Sequence, residues 1–210
     1  YFPEVLALTA TPIPRTLAFT IHGDMEISTI DELPKHRLPI ITKVVEPGRM
    51  DKIYGFMKKE MDTGHQCFVI YPIIEESEKM DWKASDTGFK NLSEKVFIDY
   101  KVGYIHGKMK KETRDKQMAA MANNEIQCLV ATTVVEVGID IPNATVMVIE
   151  NADRFGLTQL HQLRGRIGRG SSQSYCVLVK NSRSAEAEHR LKVMESTSNG
   201  FKISDEDHCL

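Results

Sequence analysis

The residues from Gln159 to Gly170 read QLHQLRGRIGRG and set Arg164, Arg166 and Arg169 apart with little except glycine between them. Three chemistries suit such a stretch. Glycines can cradle a phosphate through exposed backbone N–H groups, arginines can coat nucleic acid, and the two alternating can form a solvated loop. The dinucleotide-binding fingerprint is excluded, because GRIGRG follows the helix-like LTQLHQL rather than a strand. A Walker phosphate loop is excluded as well, since Gly-x-x-x-x-Gly-Lys-Ser/Thr occurs nowhere in the chain. An Arg/Gly tract of the disordered RNA-binding kind is longer and repeated, whereas this one is short and flanked by folded patterns. What remains is arginines held in fixed places. The spacing predicts one helix over Leu157 to Arg169, with Arg166 and Arg169 on one face and Gln162 a turn earlier. Guanidinium groups so placed can neutralise charge on a γ-phosphate in the transition state. The glycines would let that helix pack closely against the opposite face of the site.

Three further stretches end apolar runs with polar groups. TAT, Thr9 to Thr11, follows Val5 to Leu8 and sets two hydroxyls where a strand would end, the place where open α/β sheets bind ligands. VATTVVEVGIDIP, Val130 to Pro142, puts Thr132 and Thr133 at another such end, with Gly138 and Asp140 a few residues on. Hydroxyls and open backbone there suit a phosphate and a carboxylate suits a ribose hydroxyl, though an ordinary strand-to-helix loop has the same composition. YIHGKM offers His106 and Gly107 after a third run, either as a functional pair or as a hydrogen-bonded loop.

These residues need a scaffold, and the pattern predicts an α/β fold. Cys67 to Pro72, Val102 to Ile105, Ile126 to Thr132, Thr145 to Glu150 and Tyr175 to Lys180 have the all-apolar, β-branched character of parallel strands covered on both faces, five strands of one sheet. Met50, Ile53, Met57 and Met61 recur at helical steps before the first of these strands, and Leu92, Val96 and Tyr100 before the second. The charged KKETRDKQMAAMANNE predicts a surface helix, and Leu191 with Met194 predicts another beyond the last strand, broken at Asn199 and Gly200. Glu75 to Gly88, which holds Trp82, is polar and unpatterned and reads as a long mobile loop. Pro34, Pro39 and Pro47 favour an extended path between a first segment, residues 1–40, and the main unit. Val5 to Leu8 is then an edge strand without its own sheet.

Composition narrows the function classes. The 210 residues are 41% apolar, enough for an ordinary core. No run approaches the roughly 18 apolar residues of a membrane span, and YFPEVLALTA lacks the features of an export signal. Starting at Tyr1, the chain reads as a piece of a longer protein. Lys plus Arg number 27 against 29 Asp plus Glu, so no global basic field draws the chain to nucleic acid and any such contact is local. The four cysteines show no Cys-x-x-Cys spacing and read as reduced structural thiols, and the seven histidines show no ligand spacing, so no metal site is expected.

TATPIPRTLA, YIHGKM, VATTVVEVGIDIPNA and QLHQLRGRIGRG stand in the order of motifs III, IVa, V and VI of superfamily 2 helicases, which the chain resembles over nearly its whole length. ADRFG before motif VI and IDELP after motif III resemble more narrowly the RecG family of ATP-dependent DNA translocases, which remodel stalled forks and Holliday junctions. The resemblance implies two RecA-like domains with ATP and Mg2+ between them and branched double-stranded DNA across both. Residues 1–40 would end the first domain, 41–182 would be the second, and 183–210 would begin a helical hairpin used in translocation. By similarity, Gln162, Arg166 and Arg169 face the triphosphate, the two arginines as fingers. Gly138 and Asp140 sit near the ribose, Thr132 contacts a DNA phosphate, His106 and Gly107 lie along the DNA, and Thr9 and Thr11 couple the two sites. The family's phosphate loop and Asp-Glu-x-His box belong to the first domain, and its fork-splitting wedge lies elsewhere in the protein. These two parts of the same protein would be the partners, without a membrane, in the bacterial cytoplasm near the nucleoid. The ending DHCL departs from the family's Arg-Gly-Pro-Gly continuation and leaves the hairpin incomplete. A transcription-repair coupling translocase and a non-catalytic nucleic-acid-binding module are the alternatives.

Overall fold

The structure is a computed structural model that describes residues 28, 37–73, 78–132, 141–182, 184–200, 202–203 and 206. Thr9, Thr11, Gly138, Asp140 and the expected edge strand Val5 to Leu8 lie outside the described residues. The elements run β1 (Ile41–Val45), α1 (Met50–Asp62), β2 (Gln66–Tyr71), α2 (Glu78–Asn91), β3 (Val102–Ile105), α3 (Lys111–Ala122), β4 (Cys128–Thr132), β5 (Ala144–Ile149), α4 (Leu157–Arg164), β6 (Tyr175–Val179) and α5 (Ala185–Ser196).

Among the described residues six strands form a single parallel sheet in the order β1-β6-β5-β2-β4-β3. Alternate residues of each inner strand face opposite sides and both sides are covered. Cys67 and Val69 join one apolar layer with Met57 and Met61 of α1 and with Leu92 and Phe97. Phe68 and Ile70 join the other with Met121 of α3, Leu157, Leu160 and Leu163 of α4, and Leu191 and Met194 of α5. This two-sided burial explains the near-continuous apolar runs of the inner strands. Each fully buried Leu or Met contributes about 1.5–3 kcal/mol. Cys67, Cys128 and Cys176 are buried free thiols, as their apolar settings suggested, and burial pushes Cys128 and Cys176 up to about 12.

Three expectations fail here. The sheet has six strands rather than five, because ITKVV pairs in parallel with β6 as an edge strand. Pro39 and Pro47 stand just outside it, where a missing N–H costs no ladder bond, so the proline punctuation masked the strand. The expected loop from Glu75 to Gly88 is helix α2 from Glu78 onward. Its inward face is polar, which is why no hydrophobic period betrays it. Asp81 is 6% exposed and accepts two hydrogen bonds from Arg154, at 2.5 and 3.1 Å. Ser85 shares a 2.8 Å hydrogen bond with the Tyr104 hydroxyl, and Phe89 stacks on Tyr104 at 4.9 Å. Leu92 to Val96 continue from α2 as a wide π turn instead of forming a separate helix. On α5, Ser184 caps the N-terminus by accepting from the Ala187 N–H at 3.1 Å, and Glu186 and Glu188 sit in the first turn where helix polarity favours them.

Candidate functional site

Because all strands are parallel, the loops divide between two ends of the sheet. His106 and Gly107 follow β3 and Thr132 closes β4, so these three belong to the carboxyl end. The loop from Gly165 to Ser174 leads into the start of β6 and belongs to the amino end. Helix α4 joins the two ends, running roughly 12 Å at 1.5 Å per residue.

At the amino end the predicted thirteen-residue helix is not formed. Helix α4 stops at Arg164. The Arg166 N–H still reaches the Leu163 carbonyl at 2.9 Å and Ile167 reaches that of Arg164 at 3.3 Å, one further tight turn. Gly168, at φ +69°, then reverses the chain, a left-handed conformation that a residue with a Cβ adopts at a cost. Arg166 and Arg169 therefore do not share a helix face. Arg166 is half-buried within the turn, Arg169 is exposed beyond it, and Gln162 is exposed on α4. The glycines also serve a different purpose from the expected one. A Cβ on Gly168 would come within 2.8 Å of the Ile40 side chain, and one on Gly170 within 2.6 Å of the Pro142 carbonyl oxygen. They let the loop lie flat on its own domain.

The third arginine of the stretch turns inward. Arg164 is 4% exposed. Its guanidinium donates to the carbonyls of Met194 at 2.8 Å and Thr197 at 2.9 Å, to the Thr42 hydroxyl at 3.4 Å, and to Nδ1 of His161 at 3.2 Å. His161 must be neutral to accept this bond, and burial together with the Arg164 charge holds its pKa below the usual histidine value. Arg164 fastens α4 to the end of α5 and to β1.

The remaining hold on the loop comes from residues whose types gave no signal. Arg37 donates from Nε to the Gly168 carbonyl at 2.8 Å and from Nη2 to the carbonyls of Ile167 at 3.2 Å and Gly165 at 3.5 Å. The Gln173 amide donates to the Pro39 carbonyl at 2.7 Å, and the Ile41 N–H to that of Ser174 at 2.9 Å. His65 Nε2 meets the Ser172 hydroxyl at 3.2 Å, while its Nδ1 lies 3.1 Å from Glu60, which also accepts from Thr145 at 2.8 Å. Pro142, two residues after Asp140 in sequence, brings its carbonyl oxygen beside Gly170.

At the carboxyl end the His106 ring meets Trp82 edge to face at 4.6 Å and Tyr104 at 5.1 Å. Burial lowers its pKa, against a smaller opposing pull from Asp86. Lys108 places its ammonium 5.0 Å from the centre of the Trp82 ring, a cation–π contact. Among the described residues nothing stands within 4 Å of a Cβ on Gly107, which leaves room for a ligand beside its backbone. Thr132, by contrast, is 1% exposed at the end of β4. The amino-end loop carries two guanidinium groups outside the core, Arg166 and Arg169, and the planar donor fork of a guanidinium matches phosphate oxygens. Among the described residues no three His, Cys, Asp or Glu side chains cluster to hold a metal ion, and no helix is long and apolar enough to cross a membrane.

The helicase conserved C-terminal domain matches residues 48–171, and the chain belongs to that family. Its sheet and flanking helices are those of a RecA-like helicase domain. More particularly, it is 53% identical over 205 residues to the ATP-dependent DNA helicase RecG of Synechocystis, covering 98% of this chain and 25% of that protein. It is 47% identical to the RecG of Bacillus subtilis, covering 98% and 30%. The structure of RecG bound to a three-way DNA junction matches with a TM-score of 0.80 and 43% identity, over 94% of this chain and 26% of that one. The chain thus spans about a quarter to a third of the length of the curated relatives it matches.

Proposed function

We propose that this chain is the second motor domain of a DNA translocase of the RecG kind, one that couples ATP hydrolysis to the remodelling of branched DNA. Nucleotide is served at the amino end of the sheet and DNA at the carboxyl end. The observation that carries this reading is the division of the 159–170 stretch, with Arg164 bonded to protein acceptors inside while Arg166 and Arg169 stand on a loop braced by residues 37–41 and His65. A braced loop is what a finger needs, because a guanidinium neutralises transition-state charge only where it is held in place beforehand.

In this reading residues 1–40 complete a first domain, 41–182 form the second, and 183–210 begin the translocation hairpin. ATP with Mg2+ sits mainly on the first domain, which supplies the phosphate cradle and metal ligands. Arg166 and Arg169 meet the γ-phosphate, Gln162 orients the phosphate end, and Gly138 and Asp140 meet the ribose. His106 and Gly107 border the DNA, with Gly107 offering open backbone to a phosphate. Thr132, with its buried side chain at the end of β4, contacts a DNA phosphate through its backbone. Thr9 and Thr11 couple the two sites. The parent protein works on DNA in the bacterial cytoplasm.

The test is Arg166→Ala and Arg169→Ala in the full-length protein. Each lowers DNA-stimulated ATP turnover by about a thousandfold and leaves DNA affinity near its starting value. Normal turnover with lost DNA binding would assign these arginines to DNA instead.

A further inference from the structure

We propose that Arg37 is a positioning residue for the finger loop, through which the segment entering this domain sets where Arg166 and Arg169 stand. This rests on the reading of those arginines as fingers. Arg37 lies four residues before β1 and reaches 128 to 131 positions along the chain to the carbonyls of Gly165, Ile167 and Gly168. The peptide units it grips enclose Arg166 and immediately precede Arg169.

The geometry explains why an arginine stands there. Helix α4 ends at Arg164, and Arg37 donates to the carbonyls of Gly165, Ile167 and Gly168 in the turn just beyond it. A planar fork with several fixed donors can bind carbonyls that point in different directions, whereas an ammonium cannot span them. The cation also complements the negative end of the helix. Beside this clasp, Ile40 fills the space left by the missing side chain of Gly168, and Pro39 and Ile41 are bonded to Gln173 and Ser174. Residues 37–41 are thereby stitched along the loop, with Arg37 at the end nearest the fingers. A displacement of the incoming segment moves the loop as a unit.

The experiment compares Arg37→Ala, Arg37→Lys and Arg166→Ala in the full-length protein, reading kcat and KM for ATP, DNA affinity and thermal melting. Misplacing a catalytic group by about 1 Å costs up to a hundredfold in rate, so Arg37→Ala is expected to lower kcat roughly tenfold to a hundredfold with KM and DNA affinity within about twofold. Arg37→Lys, which keeps the charge and loses the fork, gives an intermediate kcat. Should Arg37→Ala fail to fold, Arg37→Lys alone decides, and a wild-type kcat in it overturns the proposal. The proposal is also overturned if Arg37→Ala keeps a wild-type kcat while its melting temperature falls, since Arg37 would then only cap the helix. Full turnover in Arg166→Ala refutes the finger reading itself, while an inactive Arg166→Ala beside a normal Arg37→Ala refutes only the role of Arg37.

Discussion

The two ends of the sheet solve different problems with different materials. At the carboxyl end the residues near His106 and Gly107 are held by aromatic and cation–π contacts among Trp82, Tyr104 and Lys108. At the amino end the loop from Gly165 to Ser174 is held by hydrogen bonds with residues distant in sequence, most of them accepted by backbone carbonyls of the loop or of its partner. Aromatic packing tolerates small shifts. Several directional bonds converging on one loop tolerate few. The difference suits a surface that follows a polymer at one end and a rigid set of charges at the other. The ends are joined by helix α4, and a five-residue strand of roughly 16 Å separates them.

If the amino end is rigid because it is saturated, removing one bonded group should cost stability there. Arg164→Met keeps much of the side-chain volume and leaves the Met194 and Thr197 carbonyls without a donor. We expect a loss of about 3 kcal/mol in urea unfolding. A loss under about 0.5 kcal/mol, the range of neutral surface changes, would show that the inward arginine holds nothing and that the contrast with Arg166 is false.

A smaller effect concerns pH. His161 accepts from Arg164 only while neutral, and its folded pKa lies below the ordinary 6.5. The unfolded chain therefore binds the proton more readily. The stability held through this imidazole is complete above pH 6.5 and is lost as pH falls through the lowered folded value. His161→Gln retains an acceptor for Arg164 and cannot titrate. Its stability should fall less steeply below pH 6.5 than that of the wild type, and identical slopes would remove His161 from the account.

The layered core could be read from the sequence because inner parallel strands are apolar on both faces, as in Cys67 to Ile70 and Val146 to Ile149. What escaped reading shares one cause. Helix α2 faces inward with Asp81 and Ser85, whose partners Arg154 and Tyr104 are far away in sequence. Strand β1 is an edge flanked by prolines. The end of α4 at Arg164 depends on Gly168 packing against Ile40, and the grip of Arg37 depends on backbone carbonyls, which carry no residue type at all. Residue spacing marked Arg166 and Arg169 as a pair, while their actual placement is set by contacts reaching across more than a hundred residues.

We propose that Arg166 and Arg169 complete a nucleotide site whose phosphate cradle lies outside these 210 residues. ATP turnover by this chain alone, measured with and without DNA beside the full-length protein, tests it most directly. No turnover above background is expected from the chain while the full-length protein hydrolyses ATP. Sustained, DNA-stimulated hydrolysis by the chain alone that disappears in Arg166→Ala would contradict the claim, because the cradle would then have to be within it.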